Sequence, residues 1–183
     1  MSGISEEERR NGRTNVFVTR AITRAGVVAA LYVALSFAVL PVASGAIQFR
    51  PSEALCVLPL FFPETIPALF IGCMLSNLIT GCAVWDIIFG SVITLIATAL
   101  TFLSGRLIKN VAAQIAVGGL FPVLLNAFLL PLIWYYCYGE LEYVYVLQVL
   151  FLIISQSVSV YLLGTFCYFG VKRLRDKGVK EFL

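Results

Sequence analysis

The sequence predicts an all-α membrane protein, a six-transmembrane-helix bundle with both termini cytoplasmic. Three observations predict it. The 183 residues are 60% hydrophobic and 13% charged, with a mean hydropathy of +0.95. A soluble domain is about 45–50% apolar and about 25% charged. The apolar residues gather in long runs, and a membrane helix needs roughly 20 of them. The cations sort onto one side of the membrane once the runs are counted as six helices.

The chain divides into a polar N-terminal tail (1–19), a membrane domain (20–172) and a basic tail (173–183). The first tail carries Glu6-Glu7-Glu8 and Arg9-Arg10 and reads as mobile. Its basic flank, with the small residues Val42–Ala46, loosely mimics a secretory signal. The apolar run between them exceeds the usual core of about 7–15 residues, so it is expected to be retained. The first span covers about Ala21–Leu40 and stops at Pro41. Ser52–Thr80 follows. Later spans are Trp85–Leu103, closed by Ser104-Gly105-Arg106, then Val111–Trp134 and Tyr143–Val171.

Ser52–Thr80 is long for one span and short for two. Charge decides. Lys and Arg collect on the cytoplasmic side of short loops. Reading the stretch as a hairpin puts twelve of the thirteen Lys and Arg residues inside and leaves only Arg50 outside. The turn is Phe62-Pro63-Glu64-Thr65-Ile66-Pro67. Proline suits a first helical turn and disfavours helix in the residue before it, and Glu64 at a helix start suits the macrodipole. The short helices are expected at about Ser52–Phe62 and Glu64–Thr80.

This topology places Arg50, Asp86, Glu140 and Glu142 in three outer connections (41–51, 81–86 and 135–142), with Glu53 one turn into the second helix. Tyr135, Tyr136, Tyr138, Tyr143, Tyr145, Trp85 and Trp134 mark the outer interface as an aromatic belt, and Trp85 and Trp134 are equally suited to lining a pocket. Asn77 and Asn126 lie in outer halves of helices. Thr94 and Thr98 continue the face of Asp86 inward. Gln148, Ser155 and Ser159 share a face, with Gln156 turned away by most of a right angle. Intramembrane amides often serve only as helix glue, at about 0.6 kcal/mol each. Their common depth favours a site instead. The inner halves are nearly free of such groups, whereas a pump or channel needs a polar path through both leaflets. The pattern describes a cup open to one side. Its candidate binding residues are Gln48, Arg50, Glu53, Asn77, Trp85, Asp86, Asn126, Trp134 and Gln148. A simple Arg50–Glu53 ion pair fixing the loop is the plainer alternative.

Histidine is absent, which excludes His-based general bases, metal ligands and nucleophile partners. The five cysteines form no C-x-x-C pair and read as small buried hydrophobes, although Cys82 and Cys137 fall near outer loops. No catalytic residue, metal site, cofactor or nucleic-acid surface is indicated. No G-x-x-x-x-G-K-[ST] loop is present, so a cup without an engine needs a partner for transport. On the first helix Ala21, Ala25 and Ala29 form one small-residue row, and Gly26, Ala30, Ala34 and Ala38 the next. Such rows let helices approach closely, either within the bundle or against another membrane subunit.

The runs Gly45-Ala46-Ile47-Gln48-Phe49-Arg50-Pro51-Ser52-Glu53-Ala54-Leu55, Leu58-Pro59-Leu60-Phe61-Phe62-Pro63-Glu64 and Trp85-Asp86-Ile87-Ile88-Phe89-Gly90-Ser91 resemble the QueT family over about residues 19–171. The resemblance implies a substrate-binding S component of an energy-coupling factor (ECF) transporter. It implies an outward-facing site roofed by the first outer loop, and an ECF membrane coupling subunit docked on Ala30-x-x-x-Ala34 or Ala25-x-x-x-Ala29. Two cytosolic ATPases and transport by toppling within the cell membrane are also implied. The small molecule would be a 7-deazaguanine: queuine, preQ1 or preQ0. The chemistry is compatible. Glu53 or Asp86 can accept from the N–H edge of a guanine-like ring, Arg50 or an asparagine can donate to its carbonyl, and Trp85, Trp134 or Tyr135 can stack on it. The alternatives are an S component for another vitamin or nucleobase, an intramembrane enzyme, and a structural membrane subunit.

Overall fold

The computed structural model describes residues 6–40, 48–139, 141 and 143–179. Six helices account for nearly all of them, and no strand occurs among the described residues. They are α1 (Glu6–Ala38), α2 (Pro51–Leu60), α3 (Thr65–Ile79), α4 (Asp86–Leu107), α5 (Val111–Tyr138) and α6 (Tyr145–Asp176). Four are long and apolar enough to cross a membrane: Thr14–Ala38 within α1, and α4, α5 and α6. Helices α2 and α3 are the shorter apolar pair. The expected hairpin is therefore present, with its turn between Leu60 and Thr65. The N-terminal stretch is helical from Glu6 and runs into the first span without a break.

Helix α2 is wound as a 3-10 helix over all ten residues. In that geometry the chain rises about 2.0 Å per residue, against about 1.5 Å in an α-helix. Ten residues thus extend roughly 20 Å rather than roughly 15 Å, which lets a segment too short for an α-helical span reach deep into the bundle. Pro51 opens it where a missing N–H costs nothing, and Pro59 lies near its end. Every residue from Pro51 to Pro59 is buried. Helix α2 packs against α1, α3, α4, α5 and α6, so it is the axis of the fold.

Helix α5 is capped by the Asn110 side chain, which accepts from the Ala113 amide at 3.2 Å. It ends at Gly139, whose φ of +74° is the left-handed conformation glycine adopts freely. Two helices contain π-wound stretches, Asp86–Gly90 at the start of α4 and Val158–Leu163 within α6.

One core cluster joins α1, α2, α3 and α6 through Tyr32, Leu55, Leu58, Phe62, Leu69 and Val171. A second joins α4, α5 and α6 through Ile93, Ala127, Leu130 and Leu152. The bundle has two unlike ends. The α2–α3 turn, the α4–α5 turn, Arg24 and the last turns of α6 share one of them. There Arg24 pairs with Glu64 at 2.6 Å, and Gln114 donates to the carbonyls of Gly105 and Ile108. Asp86, Trp134, Tyr138 and Arg50 belong to the other end.

Helices α1 and α3 cross at Gly72. A Cβ there would lie 2.9 Å from Tyr32 Cβ and 3.2 Å from the Ala29 carbonyl oxygen. Neither neighbour is a flexible tip, so Gly72→Val should cost about 1–3 kcal/mol through overpacking. Gly26→Val is the control, since a Cβ at Gly26 meets nothing within 4 Å. Thermal unfolding of the purified protein in mild detergent should show a lowered midpoint for the first variant and little change for the second.

Candidate functional site

The site is built around Glu53. Its carboxylate lies in the first turn of α2 and is 1% exposed. A carboxylate so deep is costly unless its oxygens accept hydrogen bonds. Three helices supply donors. From α1, Tyr32 Oη donates to Oε1 at 2.6 Å. From α5, Asn126 Nδ2 donates to Oε2 at 3.4 Å. From α2 itself, Cys56 Sγ donates to Oε2 at 3.3 Å. All three donors are neutral. Arg50 is three residues away, yet it forms no ion pair with Glu53. The ion pair found among the described residues is Arg24–Glu64. The simple Arg50–Glu53 pair is thus overturned: Arg50 is the residue before the helix (φ −122°, ψ 87°), and its guanidinium reaches Gln48 instead.

Arg50 points into a cavity of about 100 Å³ shared with Tyr32, Ser36, Ser76, Asn77 and Cys82. Its Nη2 donates to Gln48 Oε1 at 3.4 Å. Gln48 has a φ of +35°, which is uncommon for a residue with a side chain. Its carbonyl accepts from Ser155 Oγ of α6 at 3.0 Å. This contact pins the segment entering α2. Below it, Ser52 and Ser36 hydroxyls meet at 2.8 Å and join α2 to α1.

Asn77 lines the cavity from α3. Its Nδ2 donates to the Asp86 carbonyl at 3.1 Å and lies 3.7 Å from Cys73 Sγ. Gly90 leaves it room, since a Cβ at Gly90 would sit 3.3 Å from that nitrogen. Asp86 is half-buried. Its carboxylate accepts from Trp134 Nε1 at 2.7 Å and from Tyr138 Oη at 3.5 Å, so it clamps the start of α4 to the far end of α5.

The proposed residues therefore fall into groups. Glu53 and Asn126 touch each other. Arg50 and Asn77 share the cavity, and Gln48 holds Arg50. Trp134 and Asp86 form a separate clamp. Trp85 is 44% exposed and stacks on Phe89 at 5.7 Å, so its ring is directed outward. Gln148 is 2% exposed on α6. Glu140 and Glu142 lie outside the described residues.

Sequence reasoning missed Tyr32. It separates the cavity, which it lines, from Glu53, to which it donates. Its being the one tyrosine of the first apolar span is the only mark it carries. The Thr94 hydroxyl reaches Cys73 Sγ at 3.5 Å. Gln156, turned away from the face of Gln148, Ser155 and Ser159, is also buried, 1% exposed, and its Oε1 has no hydrogen-bond partner among the described residues. Helix α6 packs on α5 and on α2, so two of its faces are interior.

The chain belongs to the QueT transporter family, whose model matches residues 22–173. No curated protein and no solved structure matches it. A family of transporters and four long apolar helices make this a membrane protein with a transport role rather than an enzyme.

Glu53→Ala would leave Tyr32, Cys56 and Asn126 without their acceptor. A buried donor left unsatisfied costs about 1–3 kcal/mol. Asp86→Asn keeps an oxygen for Trp134 at a half-buried position. Unfolding in detergent should therefore show a large loss of midpoint for the first substitution and a small one for the second.

Proposed function

We propose that the protein is the substrate-capturing S component of an energy-coupling factor importer, spanning the cell membrane six times with both termini cytoplasmic. It captures a 7-deazaguanine from the extracellular side. The observation that carries this reading is the buried Glu53 carboxylate, satisfied by neutral donors only, one ring away from a cavity that holds Arg50. The positive-inside distribution supports placing the Arg24–Glu64 end inside and the cavity outside.

Binding exchanges donors for donors. The ligand's ring N–H and exocyclic amine replace the Tyr32 hydroxyl on Glu53, while Arg50 donates to the ring carbonyl. Asn126 remains on Oε2 and orients the carboxylate. The cavity of about 100 Å³ is smaller than the roughly 300–1,000 Å³ of ligand pockets. Displacement of Tyr32 is therefore part of binding, and it opens the space between Arg50 and Glu53. Gln48, Asn77 and Gln148 complete the polar wall. Trp85 and Trp134 belong to its rim, where the Asp86 clamp holds the rim closed. An amine on the ligand, as in queuine or preQ1, offers a cation to a carboxylate that has none.

Transport needs a membrane coupling subunit and two cytosolic ATPases. The docking row is Ala30 and Ala34. Both are exposed, whereas Ala25 and Ala29 are partly buried and pack against the core cluster. The latter row is used inside the bundle, at the Gly72 crossing.

Two measurements test this. Calorimetry on the purified protein should show queuine or preQ1 binding that guanine and riboflavin do not rival. Glu53→Gln should weaken it about 10- to 100-fold, as loss of a charge-assisted hydrogen bond implies. Undiminished binding by that variant would remove Glu53 from the site. Ala34→Trp should abolish uptake of the same ligand by cells while leaving binding to the purified protein intact. Unimpaired uptake would reject the Ala30–Ala34 row as the docking face.

A further inference from the structure

Gln156 is an interior amide that the polar site above leaves unused. It is buried on α6, and its Oε1 accepts no hydrogen bond among the described residues. The residues one turn to either side, Leu152 and Val160, are also buried, while Ile154 and Val158 face outward. Leu152 shares a core cluster with Ala127 of α5. Val160 lies beside Gly119 of α5, where a Cβ would come within 3.1 Å of its Cγ1. Gln156 therefore faces α5 between Ala127 and Gly119, at the level of Val123. Asn126, which donates to Glu53 Oε2 at 3.4 Å, lies three residues further along α5, about 4.5 Å in depth. Helices α2, α5 and α6 pack on one another, so Glu53, Asn126 and Gln156 belong to one three-helix junction.

An interior amide oxygen without a donor is uncommon and costs free energy. Helix glue does not account for it, since glue needs a donor on the facing helix. A partner subunit cannot reach a side chain buried this deeply. A trapped water would need about two to four polar partners, and Leu152, Val160 and Val123 offer none. What remains is a ligand that brings a donor to an otherwise apolar wall, the usual composition of a small-molecule site.

We propose that Gln156 Oε1 accepts from the pyrrole N–H of the bound base, the nitrogen through which a nucleoside carries its sugar, and so makes the site select free bases over nucleosides. This rests on the proposed capture of a 7-deazaguanine by Arg50 and Glu53. The order of groups agrees. Round the edge of a guanine-like ring the carbonyl is followed by the ring N–H, the exocyclic amine and then the pyrrole N–H. Arg50 takes the carbonyl and Glu53 the next two. Tyr32 meets Glu53 at Oε1 on the cavity side, and Asn126 meets it at Oε2. Continuing past Asn126 along the junction leads to Gln156. A carboxylate suits the edge with two donors, and one amide oxygen suits the single donor. A sugar on that nitrogen removes the donor and leaves the amide buried and unpaired, which is how a polar site rejects an analogue most strongly.

Gln156→Met keeps the length of the side chain and removes the acceptor; Gln156→Leu serves if the first does not fold. Calorimetry on the full-length protein compares two probes, preQ1 and preQ1 methylated on the pyrrole nitrogen. The wild type should bind preQ1 and reject the methylated form. The variant should bind preQ1 about 5- to 150-fold more weakly, as a buried donor left unpaired implies, and should discriminate less between the two probes. Freed of ligand, it should unfold at an unchanged or higher temperature, because an apolar group of like shape in place of an unpaired amide is neutral or stabilising. A lowered midpoint would show that the amide holds the bundle together, and would overturn the proposal. Equal losses for both probes, or preQ1 binding undiminished by the substitution, would overturn it while leaving Arg50 and Glu53 in place. A wild type that does not bind preQ1 removes the Arg50–Glu53 reading and this inference with it.

Discussion

Everything in this fold depends on burying a carboxylate at the centre of an apolar bundle. Glu53 sits on the helix that all the others surround, and at 1% exposure it cannot borrow hydration from outside. Its cost is met by hydrogen bonds from three different segments, Tyr32 on α1, Asn126 on α5 and Cys56 on α2. Those bonds fix the position of α1 and α5 about the axis. An apolar core alone would leave this register loosely specified, because Leu and Val contacts tolerate sliding. A carboxylate that must keep its donors does not.

The 3-10 winding of α2 follows from the same demand. The segment between the Arg50 side and the Phe61–Glu64 turn has too few residues for an α-helix of the required reach. Stretching it to about 2.0 Å per residue carries Leu58 and Phe62 into the basic-end core while keeping Glu53 level with Asn126. Weaker main-chain bonds accompany that geometry. They are compensated by enclosure, since nine consecutive residues of α2 are buried.

Much of this was legible in the sequence, for identifiable reasons. Proline positions and the parity of Lys and Arg located the α2–α3 hairpin, because both signals act on the backbone and on insertion rather than on packing. Glu53, Asn126, Asn77 and Arg50 stood out because polar side chains are expensive among apolar ones. What stayed hidden was packing-dependent. Apolar periodicity does not distinguish a 3-10 from an α segment when all faces are buried, and it does not mark the π stretch in α6. Tyr32 passed as an ordinary aromatic, since nothing local says its hydroxyl meets a carboxylate 21 residues away. The two alanine rows of α1 look alike in sequence. Only the crossing at Gly72 shows that Ala29 belongs to the interior.

Helix α1 consequently has two unlike faces on one rigid body. One presents Tyr32 to Glu53 and to the cavity. The other presents Gly26, Ala30 and Ala34 outward. A helix transmits displacement because its backbone bonds resist local change, so moving Tyr32 off Glu53 moves the side that faces away. Coupling between two sites requires a free-energy difference that each of them reads. Here the candidate difference is concrete: whether the Glu53 carboxylate is satisfied by the hydroxyl of α1 or by a ligand. In the first case α1 is tied to the axis through Tyr32. In the second that tie would be gone, and α1 would be held by its contact with α3 at Gly72, by the Ser36–Ser52 hydrogen bond to α2 and by the Arg24–Glu64 pair at the basic end.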